Sequence, residues 1–272
     1  MSFETSRYEA STGDVLDGAL DAAEDELYVV NPDADVLEEL LGTLATDDGP
    51  TVELLAAESV LKETARDFKL ASAAADLRDA GRLELRVHEG TDNTLLVTES
   101  SVVAVVSAGG RAAGIVADDE GFVADAYEEY AAAFAESEPF ELRTPGTTEV
   151  RETLAEGLGD ATADDFDGVL ASLETARGDS DDLDEVTVSL LVAAKNEELL
   201  YDISKWGEDV GIASKATFSR TKSELEEAGL LDTEKVPIDV GRPRLRLKLA
   251  DDRLRDASTG ELASVAQSVL AK

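Results

Sequence analysis

The stretch Ser214-Lys215-Ala216-Thr217-Phe218-Ser219-Arg220-Thr221-Lys222-Ser223-Glu224-Leu225 holds three cations and no acid before Glu224. Shortly after it, Arg242-Pro243-Arg244-Leu245-Arg246-Leu247-Lys248-Leu249 alternates cation and leucine. Read with helical period, the first stretch turns Phe218 and Leu225 inward, with Lys222 near the same face. The opposite face presents Ala216, Thr217, Arg220 and Ser223, flanked by Lys215 and Ser219, and Ser214 is the expected N-cap. Small and hydroxyl side chains let a helix lie close in a major groove. There Arg220 has the fork to read guanine, and Ser or Thr can bond bases or phosphates. A capped helix start also offers its N–H groups to a phosphate. Glu224, Glu226 and Glu227 fall in the later turns, where such a helix leaves the groove. Read with period two, the second stretch turns Leu245, Leu247 and Leu249 inward. Arg244, Arg246 and Lys248 then face outward, with Arg242 at the tip, as a wing facing the phosphate backbone or an adjacent minor groove would require.

These cations stand out because the chain around them is acidic. Its 272 residues contain 24 Lys plus Arg against 61 Asp plus Glu, a net charge of −37 with the one His neutral. Residues 1–146 hold 9 basic and 33 acidic residues, and residues 147–200 hold 3 and 15. Residues 201–250 hold nine of each, and residues 251–272 hold 3 and 4. Molar salt, in which the Debye length is about 3 Å, would favour such an acidic surface. The competing reading is an acidic surface for a partner, or a mimic of nucleic acid. A hydrophobic content of 43% is sufficient for a packed core. The absence of Cys excludes disulfides, thiolate catalysis and Cys-based metal sites. One His cannot build a His-rich metal site. No apolar run approaches the roughly 18 residues of a membrane span, and the first residues show neither a basic nor an apolar leader. A cytoplasmic protein is expected, with no cofactor, metal or membrane partner.

The order of elements sets an α/β N-terminal domain before a mainly α C-terminal winged helix-turn-helix domain. Helix 14–23, strand 27–30, helix 36–44, strand 52–56, a long helix 60–79 and strand 83–87 give the alternation of a mainly parallel sheet. Strands 95–97, 102–106 and 114–116 extend it antiparallel, and helix 121–135 closes the unit. The expected domains are an α/β sensor and oligomerisation domain over 1–146, a helical linker over 147–183, a winged helix-turn-helix domain over 184–250 and a C-terminal helix over 251–272. The linker carries Phe166, Val169, Leu170 and Leu173 on one face and ends in the acidic turn Gly178-Asp179-Ser180-Asp181-Asp182. In the winged domain, helices over 185–200 and 203–209 precede a break at Gly211, and the third helix ends at Gly229. Strands over 232–236 and 244–249 form the wing. Ser258, with Glu261 three residues on, starts the last helix as a capping box. Its exposed face is a candidate dimer seam, as is its packing on its own domain a candidate use.

The run Leu200-Tyr201-Asp202-Ile203-Ser204-Lys205-Trp206-Gly207-Glu208, the helix from Ser214 to Arg220 and Glu226-Glu227-Ala228-Gly229-Leu230 resemble bacterial and archaeal winged-helix regulators. With Val240-Gly241-Arg242-Pro243-Arg244-Leu245 added, nearly the whole chain resembles the haloarchaeal TbsP-type transcriptional regulators. That resemblance implies a cytoplasmic regulator of central carbon metabolism acting beside a TrmB-type sugar-responsive co-regulator. Residues 93–106, with Ser107-Ala108-Gly109-Gly110 after them, are similar to half of a phospholipase-D-like domain. The His and Lys of that family would fall on Asp92 and Thr94, so its chemistry is absent.

Other chemistry finds no residues. His88 reads as a surface side chain at a strand end. Gly109-Gly110-Arg111 reads as a hairpin before an anion site. Gly157-Leu158-Gly159 lacks the third glycine and preceding strand of a dinucleotide fingerprint, and no Ser, His and Asp assemble into a triad. The expected partners are double-stranded promoter DNA, a second copy of the chain (two half-sites call for a symmetric dimer), a small metabolite and the TrmB-type co-regulator. The alternative is a protein-interaction module in which the winged helix and the acidic N-terminal domain bind another regulator and not DNA.

Overall fold

The computed structural model describes residues 7–45, 49–90, 93–109, 111–175, 183–239 and 241–270. It divides into two units at the junction between Gly146 and Thr147.

The first unit runs β1 (Arg7–Ala10), α1 (Thr12–Ala22), β2 (Glu26–Val30), α2 (Ala34–Leu44), β3 (Thr51–Ala56), α3 (Glu58–Thr64), α4 (Phe68–Asp79), β4 (Leu83–Val87), β5 (Thr94–Val97), β6 (Val102–Ala108), β7 (Arg111–Ala117), α5 (Glu120–Glu136) and β8 (Glu138–Pro139). Its sheet has the order β1-β7-β6-β5-β2-β3-β4-β8. Neighbours β2, β3 and β4 pair in parallel, and β5 to β7 extend the sheet by antiparallel pairing. Alternation along β2 splits the core in two. Leu27 and Val29 pack with Leu16, Leu37 and Leu40 of α1 and α2, whereas Tyr28 and Val30 pack with Val123 and Phe134 of α5. In this unit α1, α2, α4 and α5 begin where a short polar side chain takes an orphan N–H, whereas α3 starts at Ala57 without one. Ser11 and Asp14 form a capping box on α1, and Asp33 accepts from Val36 N at 2.9 Å on α2. The same chemistry breaks the helix expected over 60–79. Asp67 accepts from Leu70 N at 3.0 Å and starts α4 afresh after α3 has ended at Thr64.

The second unit runs α6 (Thr147–Leu158), α7 (Asp160–Thr175), α8 (Glu185–Lys195), α9 (Leu200–Val210), α10 (Lys215–Glu227), β9 (Leu231–Val236), β10 (Arg244–Leu249), α11 (Asp252–Asp256) and α12 (Thr259–Leu270). The helical linker expected over 147–183 is instead built into this unit wherever it is described. Val150, Leu154, Ala163, Phe166 and Val169 are buried, Phe166 meets Trp206 edge-on at 6.4 Å, and the Trp206 indole N–H donates to Thr153 Oγ1 at 3.0 Å. A stripe of that width needs a partner surface, and α9 supplies it. The acidic turn 178–182 lies outside the described residues.

The C-terminal helix does not stand alone either. Leu262, Ala263 and Ala266 of α12 are buried, and Thr259 at its start bonds Asp165 of α7. Asp165 also accepts from Lys195 Nζ at 2.9 Å and from Asn196 Nδ2 at 2.8 Å. Asn196 caps α8 there, five residues short of the expected end. Glu197 then turns with φ of +55°, and Leu199 makes a single antiparallel bridge to Arg246 beside the two-stranded wing.

Candidate nucleic-acid interface

The α9–α10 corner is set by two glycines. Gly211 ends α9 in the left-handed conformation, φ +94°, and Ile212 N donates back to Gly207 O at 2.8 Å. Gly207 itself lies against the Phe218 ring, where a Cβ would sit 2.3 Å from Cε2, so the two helices cross at a distance only glycine permits. Phe218 is fully buried, and Thr221 and Leu225 continue its face inward.

That rotation leaves Ala216, Ser219, Arg220 and Ser223 exposed on α10. The Arg220 side chain is 71% exposed, with Glu224 one turn away at 3.9 Å. Ser223 Oγ donates to Ser219 O at 3.0 Å. Ser214 caps the helix through Thr217 N at 3.2 Å, and the two hydroxyls lie 3.0 Å apart. Ser214 and Thr217 therefore build the helix start, while Ser219 lies on the exposed face. Lys215 reaches back to Glu208 of α9 at 2.5 Å. The Lys215 hydrogen bonds hold the Glu208 carboxyl below the usual carboxylate range, and Glu208 in turn holds the ammonium above its own.

The wing pairs Leu247 with Thr233, Arg246 with Glu234 and Lys248 with Asp232. Leu247 and Leu249 are buried as expected, whereas Leu245 is half-exposed. Arg244, Arg246 and Lys248 share the other face, yet they are not the open row of cations their alternation predicts. The Arg244 guanidinium stacks on Tyr201 at 4.0 Å and donates to Asp202 at 3.2 Å. Lys248 pairs with Glu234 at 2.6 Å. Arg246 is half-buried, its Nε without a hydrogen-bond acceptor among the described residues. Nearby Glu198 has its carboxyl pushed up, first by burial and then by Asp202. The physical reason is that Leu199 adds itself to β10, with Leu247 N donating to Glu198 O at 2.9 Å. That contact brings the acidic start of α9 alongside the wing. Arg242, at the tip, is exposed.

A cavity of about 410 Å³ opens between α9, α10 and the wing tip, lined among others by Tyr201, Lys215, Ser219, Ile238, Arg242 and Arg244, and by no acid. Tyr201 and Ile238 are exposed there, 47% and 41%. Neither stands out in the sequence except as a large apolar residue inside the charge-balanced stretch.

A cavity of about 400 Å³ in the first unit is lined by acids as well as cations, among them Glu84, Glu141, Arg78 and Arg143. Thr94 Oγ1 donates to the Asn31 carbonyl at 3.0 Å, Asp92 lies outside the described residues, and His88 is half-buried just past β4. Gly109, φ +62°, turns the β6–β7 hairpin; Gly110 lies outside the described residues. Among the described residues no group of His, Asp and Glu is arranged to hold a metal, and no helix is long and apolar enough to cross a membrane.

A left-handed turn between two crossed helices, closed by a two-stranded hairpin, defines a winged helix-turn-helix domain, here following an α/β unit. The chain belongs to the TbsP-like family of transcriptional regulators: residues 4–145 match its N-terminal domain and residues 146–267 its C-terminal HTH domain. Among solved structures it is similar to TrmBL2, described as an archaeal chromatin protein with a novel mode of DNA binding. The identity is 16% over 50% of this chain and 54% of that one, with a TM-score of 0.37, so the chain spans about half the length of TrmBL2. It is also similar to Nuc, a phospholipase D family member from Salmonella typhimurium, at 11% identity over 51% of this chain and 99% of that one, with a TM-score of 0.34. Neither likeness is close enough to argue from. No curated protein matches the chain.

Proposed function

We propose that this chain is a non-catalytic, sequence-specific DNA-binding regulator that lays α10 in the major groove and the wing along the phosphate backbone. The observation that carries the reading is the cavity between α9, α10 and the wing tip, lined by Lys215, Ser219, Arg242 and Arg244 among others and by no acid. Arg220 and Ser223 of α10 are also exposed. Arg220 reads a base, Ser219 and Ser223 support it, Lys215 and Arg242 take phosphates, and Tyr201 holds Arg244 toward the same cavity. Ser214 and Thr217 act through the helix start they cap. Arg246 and Lys248 sit further along the wing and add charge at its base.

Promoters of central carbon metabolism are the targets that the TbsP-type resemblance implies, with a TrmB-type regulator acting alongside. The first unit supplies assembly and metabolite sensing. Exposed Val106 and Ile115, on the same face of β6 and β7 by alternation, support a surface for a second copy.

The test is selection of duplexes from a randomised pool by the full chain, followed by titration in potassium chloride. Arg220→Ala is expected to relax discrimination at one base pair by about 1–3 kcal/mol, whereas Arg242→Ala weakens all sequences alike. Recovery of no duplex, together with a stable complex with another regulator, would replace this reading with the protein-interaction one.

A further inference from the structure

Three cations of the α10–wing face are held by carboxylates from neighbouring elements. Lys215 of α10 pairs with Glu208 of α9, Arg244 of β10 with Asp202 of α9, and Lys248 of β10 with Glu234 of β9. Elsewhere several pairs join residues one turn apart on a single helix, as in Lys62–Glu58, Lys205–Asp209 and Lys222–Glu226. At the interface Arg220–Glu224 is also of this kind, but the other three pairs cross from one element to another. Their acids are open to solvent, with side chains 43%, 39% and 55% exposed for Glu208, Asp202 and Glu234.

We propose that DNA binds this face by ion-pair exchange, phosphates displacing Glu208, Asp202 and Glu234 from Lys215, Arg244 and Lys248, and that these three acids set the salt response of binding. The proposal rests on the DNA-binding reading above. Exposed pairs of this kind are weak and screened by salt, so a phosphate, which forms shorter charge-assisted bonds, can take the cation. Cation exchange follows from charge balance. DNA sheds condensed cations as its phosphates are neutralised. Each carboxylate left behind regains a mobile cation from solution. Release and uptake then offset one another, and affinity falls less with rising salt than the number of contacts implies. Arg242, with no ion pair among the described residues, contributes ordinary counterion release.

The experiment uses the full chain and a duplex selected by the wild-type protein. Glu208→Gln, Asp202→Asn and Glu234→Gln are made singly and together. Glu227→Gln is the control, removing one acid from exposed α10 surface without freeing a cation. Thermal melts by circular dichroism establish that each variant is folded. For the triple variant, the slope of log affinity against log salt is expected to steepen by about one to two units, with roughly three- to tenfold tighter binding at the low-salt end. The control leaves the slope where it was. A triple variant that is folded and binds with the wild-type slope overturns the exchange while leaving DNA binding intact. Failure of the wild-type protein to select any duplex removes the DNA reading itself, and the exchange with it.

Discussion

Two shielded carboxylates, Glu53 in the first unit and Asp165 in the second, are handled in opposite ways. On the α5 face of the first unit, Glu26 of β2, Glu53 of β3 and Glu84 of β4 gather around one cation, Arg86, which pairs with Glu84 at 2.6 Å. Tyr28 Oη donates to Glu26 at 3.1 Å, Tyr127 Oη donates to the same carboxylate, and Glu53 Oε2 is buried without a partner among the described residues. Burial first, then Glu84 and Glu26, push the Glu53 carboxyl up to about 7, with Arg86 pulling the other way. In the second unit Asp165 is also shielded, and burial alone would raise it. Hydrogen bonds from Thr259, Lys195 and Asn196 outweigh that cost and hold it below the usual range. The same functional group is therefore a proton holder in one unit and a fixed anion joining three helices in the other. Partners, and not burial, decide the sign.

The contrast can be broken or sharpened by substitution, and the single Trp, Trp206, makes fluorescence a reporter of the second unit. The largest effect is expected from Phe218→Ala, which empties the contact under Gly207. It should cost about 3–5 kcal/mol in denaturant unfolding followed at Trp206, and a loss under 1 kcal/mol would mean the α9–α10 crossing is not what holds this unit. Asp165→Ala comes next. It strands the half-shielded Lys195 and two further donors, Asn196 and Thr259, and should cost about 2–3 kcal/mol at neutral pH by the same measurement. Because Asp165 is depressed, its contribution is present above the ordinary carboxylate value of about 3.9 and is lost as pH falls through its folded value. The difference between wild type and Asp165→Ala should therefore shrink in strong acid.

Glu53→Gln is expected to give a smaller change of opposite sign. A raised value means the folded state holds the proton more tightly than the unfolded chain. Stability from this group is thus full below 4.5 and is lost as pH rises to about 7. At pH above 7 the substitution should stabilise the first unit by about 1–2 kcal/mol, discounted for the solvent that reaches the carboxyl. In mild acid it should change nothing. Near-ultraviolet circular dichroism of Tyr28 and Tyr127 against temperature reads it. A stabilisation equal at both pH values would show that Glu53 stays ionised.

Much of this was legible in the residues. Alternation in Leu27–Val30 and helical spacing in Val36–Leu44 reflect contacts each element must make wherever it lies, and so survive folding. The inward turn of Phe218 and Leu225 was readable for the same reason, as was the charge balance of residues 201–250. The break at Asp67 was missed because an N-cap inside an apolar-periodic run looks like one more exposed residue. The early end of α8 was missed because Asn196 is held by Asp165, far away in the chain.

By itself, the sequence determined the class of fold, the position of the winged helix and the face of α10 that stays in water, because periodicity and local charge are properties of short segments. The tertiary structure decided that residues 147–175 belong to the core of the second unit and that Glu53 and Asp165 differ in proton affinity. It also decided that Lys215, Arg244 and Lys248 already hold carboxylates. Each of these depends on which elements meet, and a charge alters its neighbour only over the few ångströms that folding brings together.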